Sequence, residues 1–151
     1  MKFQHLAIIG ILTVVTISCT REVTSNTTET QEQATTTTAS PAAASGTFKA
    51  GEHVTQGAVS VVTKEGKRYL EFNQNFKTAQ GPDLFVILYR TDTPPKSGIK
   101  EKDYVSIARL QKNNGSQRYA LPENVKLADF GSVAIWCRKF NATFGYASLK
   151  A

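Results

Sequence analysis

Gly81-Pro82-Asp83-Leu84-Phe85-Val86-Ile87-Leu88-Tyr89 is a turn followed by an unbroken run of six apolar residues. A run of that length suits a strand that is covered on both sides or lies in the centre of a sheet. Working outward, Ala58-Val59-Ser60-Val61-Val62-Thr63 and Arg68-Tyr69-Leu70-Glu71-Phe72 alternate about the tight turn Lys64-Glu65-Gly66-Lys67, which predicts a hairpin. On the other side Thr93-Pro94-Pro95-Lys96-Ser97-Gly98 breaks the chain. Tyr104 to Leu110 and Gln117 to Leu121 then flank Asn113-Asn114-Gly115-Ser116, and Asn-Gly tolerates the positive φ of a hairpin turn, so a second hairpin is expected there. A last pair, Ser132 to Arg138 and Thr143 to Leu149, is joined around Asn141. No stretch of this region sustains a 3.6-residue period. The expectation is an all-β fold, an antiparallel β-sandwich or flattened barrel of about seven or more short strands.

The chain begins differently. Lys2 precedes the apolar run from Leu6 to Ile17, which falls short of the roughly 20 residues a membrane span needs and reads as the core of a signal peptide over residues 1–18. Thr16-Ile17-Ser18-Cys19 resembles a lipobox, with Thr in place of the usual Leu, and makes Cys19 the expected lipid anchor. Residues 19–45 are mostly Thr, Ser, Ala, Glu and Gln, with one proline, Pro41, and Val23 as their one large apolar side chain, too little to offset the entropy of ordering, and so read as a disordered tether. A lipid on Cys19 would hold the protein at a membrane without a transmembrane helix. The expected location is therefore exported, on the periplasmic or outer face of a bacterial membrane.

Residues 46–151 have the size of one domain. Of the 18 Lys+Arg, Lys2 and Arg21 lie outside it, leaving 16; of the 12 Asp+Glu, Glu22, Glu29 and Glu32 lie outside, leaving 9, for a net charge of 16 − 9 = +7. The cations are scattered rather than gathered in a run. An exported location argues against nucleic acid and leaves anionic lipid, a cell-envelope polymer or an acidic protein as partners.

This region contains one cysteine, Cys137, one histidine, His53, and no methionine. Blue copper and structural zinc each need more ligands than that pair, as does haem held by two His or by His and Met. A thiolate-ligated or Cys/His-ligated haem stays open. In Ser132-Val133-Ala134-Ile135-Trp136-Cys137, alternation puts Val133, Ile135 and Cys137 on one face and Ala134, Trp136 and Arg138 on the other. With the aliphatic face inward, Cys137 packs as a small hydrophobe. A reactive thiol, with Arg138 and Lys139 favouring the thiolate, is the competing reading. Trp136 reads as a packing residue, Asp83 as a turn residue whose carboxylate bonds neighbouring amides, and His53 as a strand-edge histidine. No Ser-centred elbow, phosphate loop or paired-carboxylate pattern is present, and an enzyme is not expected.

Gly51-Glu52-His53, Gly57-Ala58-Val59, Gly81-Pro82-Asp83-Leu84, Tyr119-Ala120-Leu121-Pro122, Val133-Ala134-Ile135-Trp136-Cys137, and Phe140 with Phe144-Gly145-Tyr146-Ala147-Ser148-Leu149 follow one another in an order and spacing that resembles the DM-thirteen domain. That module accompanies DOMON domains in Knickkopf-type animal proteins and stands alone in bacterial lipoproteins. The resemblance implies an all-β domain for electron transfer or extracytoplasmic redox chemistry centred on Cys137, with Trp136, His53 and Asp83 in support and a separate redox protein as partner. A non-catalytic binding or adhesion module, with Cys137 as inert core, is the alternative.

Overall fold

The computed structural model describes residues 43–151; the expected signal peptide, Cys19 and the expected tether up to residue 42 lie outside the described residues. Among the described residues nine strands form two antiparallel sheets. β1 (Ala44–Thr47), β3 (Ala58–Lys64), β4 (Lys67–Phe72) and β7 (Gln117–Ala120) make one, in the order β1-β3-β4-β7. β2 (Lys49–Ala50), β5 (Leu84–Tyr89), β6 (Tyr104–Arg109), β8 (Ser132–Cys137) and β9 (Ala142–Ser148) make the other, in the order β2-β9-β8-β5-β6. The sheets face each other without closing, so the fold is a sandwich and not a barrel.

The 3–4 hairpin turns as its sequence dictates: Glu65 and Gly66 both take positive φ, 51° and 74°, the geometry that matches strand twist in a two-residue loop. The apolar run 84–89 is a central strand, paired with β8 on one side and β6 on the other. Its alternate residues feed two cores. Leu84, Val86 and Leu88 point between the sheets with Val59, Val61, Leu70, Phe72, Val133 and Ile135. Ile87 and Tyr89 point outward and are covered there with Ile99, Ala134 and Trp136.

Two expectations are corrected. Tyr104–Arg109 and Gln117–Ala120 are strands but do not form a hairpin: the first pairs with β5 in the five-stranded sheet, the second with β4 in the four-stranded one. The segment between them crosses from sheet to sheet, and the positive φ of Gly115 (80°) serves a contact to the loop after β4, where its N–H donates to the Phe76 carbonyl. The first strand also starts earlier than the sequence suggests. Ala44 is buried and Ser45 exchanges both backbone hydrogen bonds with Lys150, so these two small residues, which by composition resemble the tether, belong to the sheet.

What covers the outer face of the five-stranded sheet is the Pro-rich segment 91–100. The Ser132 hydroxyl donates to the Thr91 carbonyl (2.7 Å), Ser148 to Asp92 (2.8 Å) and Thr143 to Pro95 (2.6 Å), while the Asn141 amide donates to Ile99 (3.1 Å). A segment without secondary structure thus has its carbonyls satisfied by hydroxyls and an amide of the sheet it lies on.

Candidate functional site

Cys137 ends β8 on the inward face, fully enclosed and a free thiol. Its cross-strand partners are Leu84 on β5 and Ala142 on β9. It belongs to the cluster that contains Leu84, Ile135 and Phe144, and its Sγ makes no hydrogen bond among the described residues. A reagent or a partner thiol cannot reach this sulfur while the sandwich is closed. A haem on Cys137 does not fit either, because the macrocycle would have to displace packed side chains from both sheets.

Trp136, one residue back, projects through the other face of the same strand. Its ring lies 5.0 Å from that of Tyr104, and its Nε1–H donates to Asn141 Oδ1 (3.0 Å). Asn141 holds the turn between β8 and β9 in a left-handed conformation, φ 47°, which asparagine tolerates better than most residues. Tyr89, Ile87 and Ile99 close the cluster. Burial, and secondarily the Asp103 carboxylate, push the Tyr89 phenol above its ordinary value. The result is a pair of electron-rich rings against the outer face of the strand that carries the thiol on its inner face.

Asp83 does not bond neighbouring amides, as the turn reading had it. Its carboxylate lies between two guanidiniums, pairing through Oδ1 with Arg109 Nη2 and through Oδ2 with Arg138 Nε at 2.8 Å. Its backbone carbonyl accepts the N–H of Arg138 at 3.0 Å. Both arginines stand over Phe85, with Cζ at 4.6 Å (Arg138) and 5.4 Å (Arg109) from the ring centroid. Gly81 of the same motif earns its place by contact: a Cβ there would come 2.8 Å from Leu84 Cδ2 and 3.0 Å from the Phe144 ring.

His53 stands apart from this arrangement. Its ring packs on Phe144 (centroids 4.1 Å apart), at the edge of a cavity of about 330 Å³ also lined by Val54, Gln56, Lys77, Thr78 and Ala79, and it shares no hydrogen bond with Cys137 among the described residues. Phe144 is the extra residue of a bulge in β9, between Thr143, which pairs with Trp136, and Gly145, which pairs with Ile135. Among the described residues no three His, Cys, Asp or Glu side chains gather as a metal site would require.

The structure therefore joins Cys137, Trp136 and Asp83 in one block of β5 and β8, and leaves His53 one aromatic ring away from it. Sequence reasoning missed Tyr104, Asn141, Phe85 and Arg109. Only the pairing of β6 beside β5, which no local pattern encodes, brings Arg109 and Tyr104 to the site.

No curated protein and no solved structure matches the chain. A family model described as "Electron transfer DM13" matches residues 47–149, nearly the whole of the described sandwich. The chain therefore belongs to the electron transfer DM13 family, and the block of β5 and β8 is its candidate site.

Proposed function

We propose that this protein is a lipid-tethered, extracytoplasmic accessory domain that passes single electrons through Cys137 to and from a separate redox protein, and is not an enzyme with a substrate of its own. The observation that carries the reading is the full enclosure of Cys137 beside Trp136. A lone thiol can turn over as a sulfenate, as a mixed disulfide or by one-electron exchange. The first two need a molecule to touch sulfur, which the packing forbids. Electron exchange does not.

The exchange is one electron and one proton in each direction. A strongly oxidising metal centre of the partner takes an electron by way of Trp136, Cys137 supplies that electron through the β8 backbone, and the indole keeps its N–H on Asn141. The thiol proton leaves to water when the Cys137 end of β8 opens transiently, and the partner's electron and a proton from water restore the thiol by the same route. Family membership, the Trp136–Tyr104 contact and the adjacency of residues 136 and 137 support this reading. The tether from Cys19 keeps the domain at the membrane while it samples partners.

The binding or adhesion module has an observation of its own in its favour. Cys137 Sγ has no hydrogen-bonded acceptor for its proton among the described residues, as expected of inert core. One experiment separates the two readings. Trp136 is the only tryptophan of the chain, so its radical can be made selectively with azide radicals in pulse radiolysis and followed optically. Decay about tenfold or more faster in the wild type than in Cys137→Ala supports the relay. Equal decay in the two proteins removes it and leaves the binding module.

A further inference from the structure

The outer rim of the candidate site carries an assembly that the relay itself does not use. Arg109 and Arg138 have side chains 61% and 59% exposed, while Asp83 between them is only 15% exposed and has both oxygens engaged. The two guanidiniums are therefore held in place on Phe85 by a carboxylate that is largely withdrawn from solvent. Lys139 and Phe140 follow in the exposed turn, and Phe140, 63% exposed, is one of two large hydrophobics that the described residues leave in solvent. Three cations against one anion, with an aromatic among them, make a basic patch with an apolar anchor.

We infer that the patch formed by Arg109, Arg138, Lys139 and Phe140 is the docking surface for an acidic face of the protein that exchanges electrons with this domain. The inference rests on the electron-transfer reading and adds where the partner sits. Arg138 directly follows Cys137, and Phe85 under the guanidiniums is the cross-strand partner of Trp136. A partner seated here lies beside Trp136, with Cys137 on the far face of the same strand. Arg and aromatic side chains held in fixed positions are the usual anchors of protein interfaces, and small, charged contacts are typical of transient electron-transfer encounters. Opposite charge raises the rate of such encounters and lets them dissociate. A membrane surface is served as well by mobile lysines, whereas guanidiniums fixed by an ion pair favour the carboxylates of a structured partner.

The test uses the full chain, isotope-labelled, with a hexaglutamate peptide as the acidic probe and phosphatidylglycerol vesicles as the membrane probe. Expected are saturable amide shifts concentrated at residues 83–85, 109 and 138–140. In Lys139→Glu/Phe140→Ser, whose side chains make no hydrogen bond or ion pair among the described residues, peptide affinity should fall about tenfold at low salt. In Lys67→Glu, a charge reversal on the other sheet, it should hardly change. Arg109→Gln/Arg138→Gln is the companion variant, read only if its spectrum stays folded. Shifts spread over the cations of both sheets, equal losses in the Lys67 control, or vesicle binding through these residues in preference to the peptide would each overturn the assignment. None of these readouts requires electron transfer, so the patch can fail while the relay stands, and a silent Cys137 would leave the shifts unaltered.

Discussion

Cys137→Ser and Cys137→Ala separate a sealed sulfur from an accessible one by the order of their stabilities. Because Cys137 is fully enclosed among Leu84, Ile135 and Phe144, Ala removes one buried atom and leaves a small void, at a cost of about 1–2 kcal/mol by the behaviour of large-to-small core changes. Ser keeps the volume but places a hydroxyl where the thiol had no partner. An unsatisfied buried hydroxyl costs about 1–3 kcal/mol on top of the lost apolar contact, so Ser should be the worse of the two by about 1 kcal/mol or more. For a domain of this size each kcal/mol lowers Tm by about 4–8 °C, which puts Ala about 4–16 °C below the wild type and Ser lower again by about 4–8 °C or more. Urea unfolding followed by Trp136 fluorescence reads the same order, with an unchanged m-value. If Ser is as stable as Ala or better, the site holds water or an acceptor, the enclosure argument fails, and thiol chemistry at Cys137 must be reconsidered. Iodoacetamide provides the kinetic counterpart: labelling of the wild type should track the unfolded fraction across a urea series and vanish in the native baseline.

Asn141→Ala removes the acceptor of the Trp136 indole N–H and puts a Cβ residue with no local polar side chain at φ 47°; a loss of about 2–3 kcal/mol and a shifted Trp136 emission are expected, with Asn141→Gly recovering part of the stability but not the emission. On the acid side, the hydrogen bond from Lys64, with Arg118 beside it, holds the Glu71 carboxyl below its ordinary 4.5. The unfolded chain therefore takes up that proton first as pH falls, so this contribution is full above 4.5, is lost below it, and Glu71→Gln should flatten the acid limb of a Tm-versus-pH curve. Burial raises the Tyr119 phenol above 10, so its contribution is full below 10 and is lost as pH climbs beyond, and Tyr119→Phe should soften that alkaline limb. Cys19→Ala should abolish incorporation of labelled palmitate and move the protein from the membrane to the soluble fraction on fractionation; continued membrane retention would refute the lipid anchor.

Much of the sandwich is written locally. Strands β3, β4, β5, β8 and β9 each announce themselves by alternation or by an apolar run, and two of the turns by residues that accept positive φ. What local pattern cannot encode is which strand lies beside which. Asn-Gly at 114–115 is a sound turn signal, yet the strands on either side of it join different sheets, because Tyr119 is needed in the inner core against Phe72 while Tyr104 is needed on the outer face against Trp136. The segment 91–100 was equally illegible: its prolines mark a break, and nothing in it says that four side chains of the sheet will bind its carbonyls. Cys137 was legible as an inward residue from alternation alone. Its surroundings were not, because β8 is buried on both faces and its outward side reads as solvent-facing when taken by itself.

Two of the sequence motifs that point to the family, Gly81 to Leu84 and Val133 to Cys137, lie some fifty residues apart, and the register of β5 against β8 brings them together. Asp83 bonds Arg138, Leu84 faces Cys137 and Phe85 faces Trp136, so the end of one motif meets the end of the other. A slip of one residue in this pairing would exchange the faces of the whole strand, putting the thiol outside and the indole between the sheets. The apolar alternation of β5 and β8 resists such a slip only weakly, because both faces of both strands are buried and both tolerate aliphatic side chains. The Asp83 ion pairs and the hydrogen bond from Arg138 N–H to the Asp83 carbonyl act at the end of the ladder where the slip would begin, and they exist in one register only. Asp83 is thus a positioning residue: it fixes which face receives sulfur and which receives the indole, and in the same contact it holds the two arginines over the ring that faces Trp136.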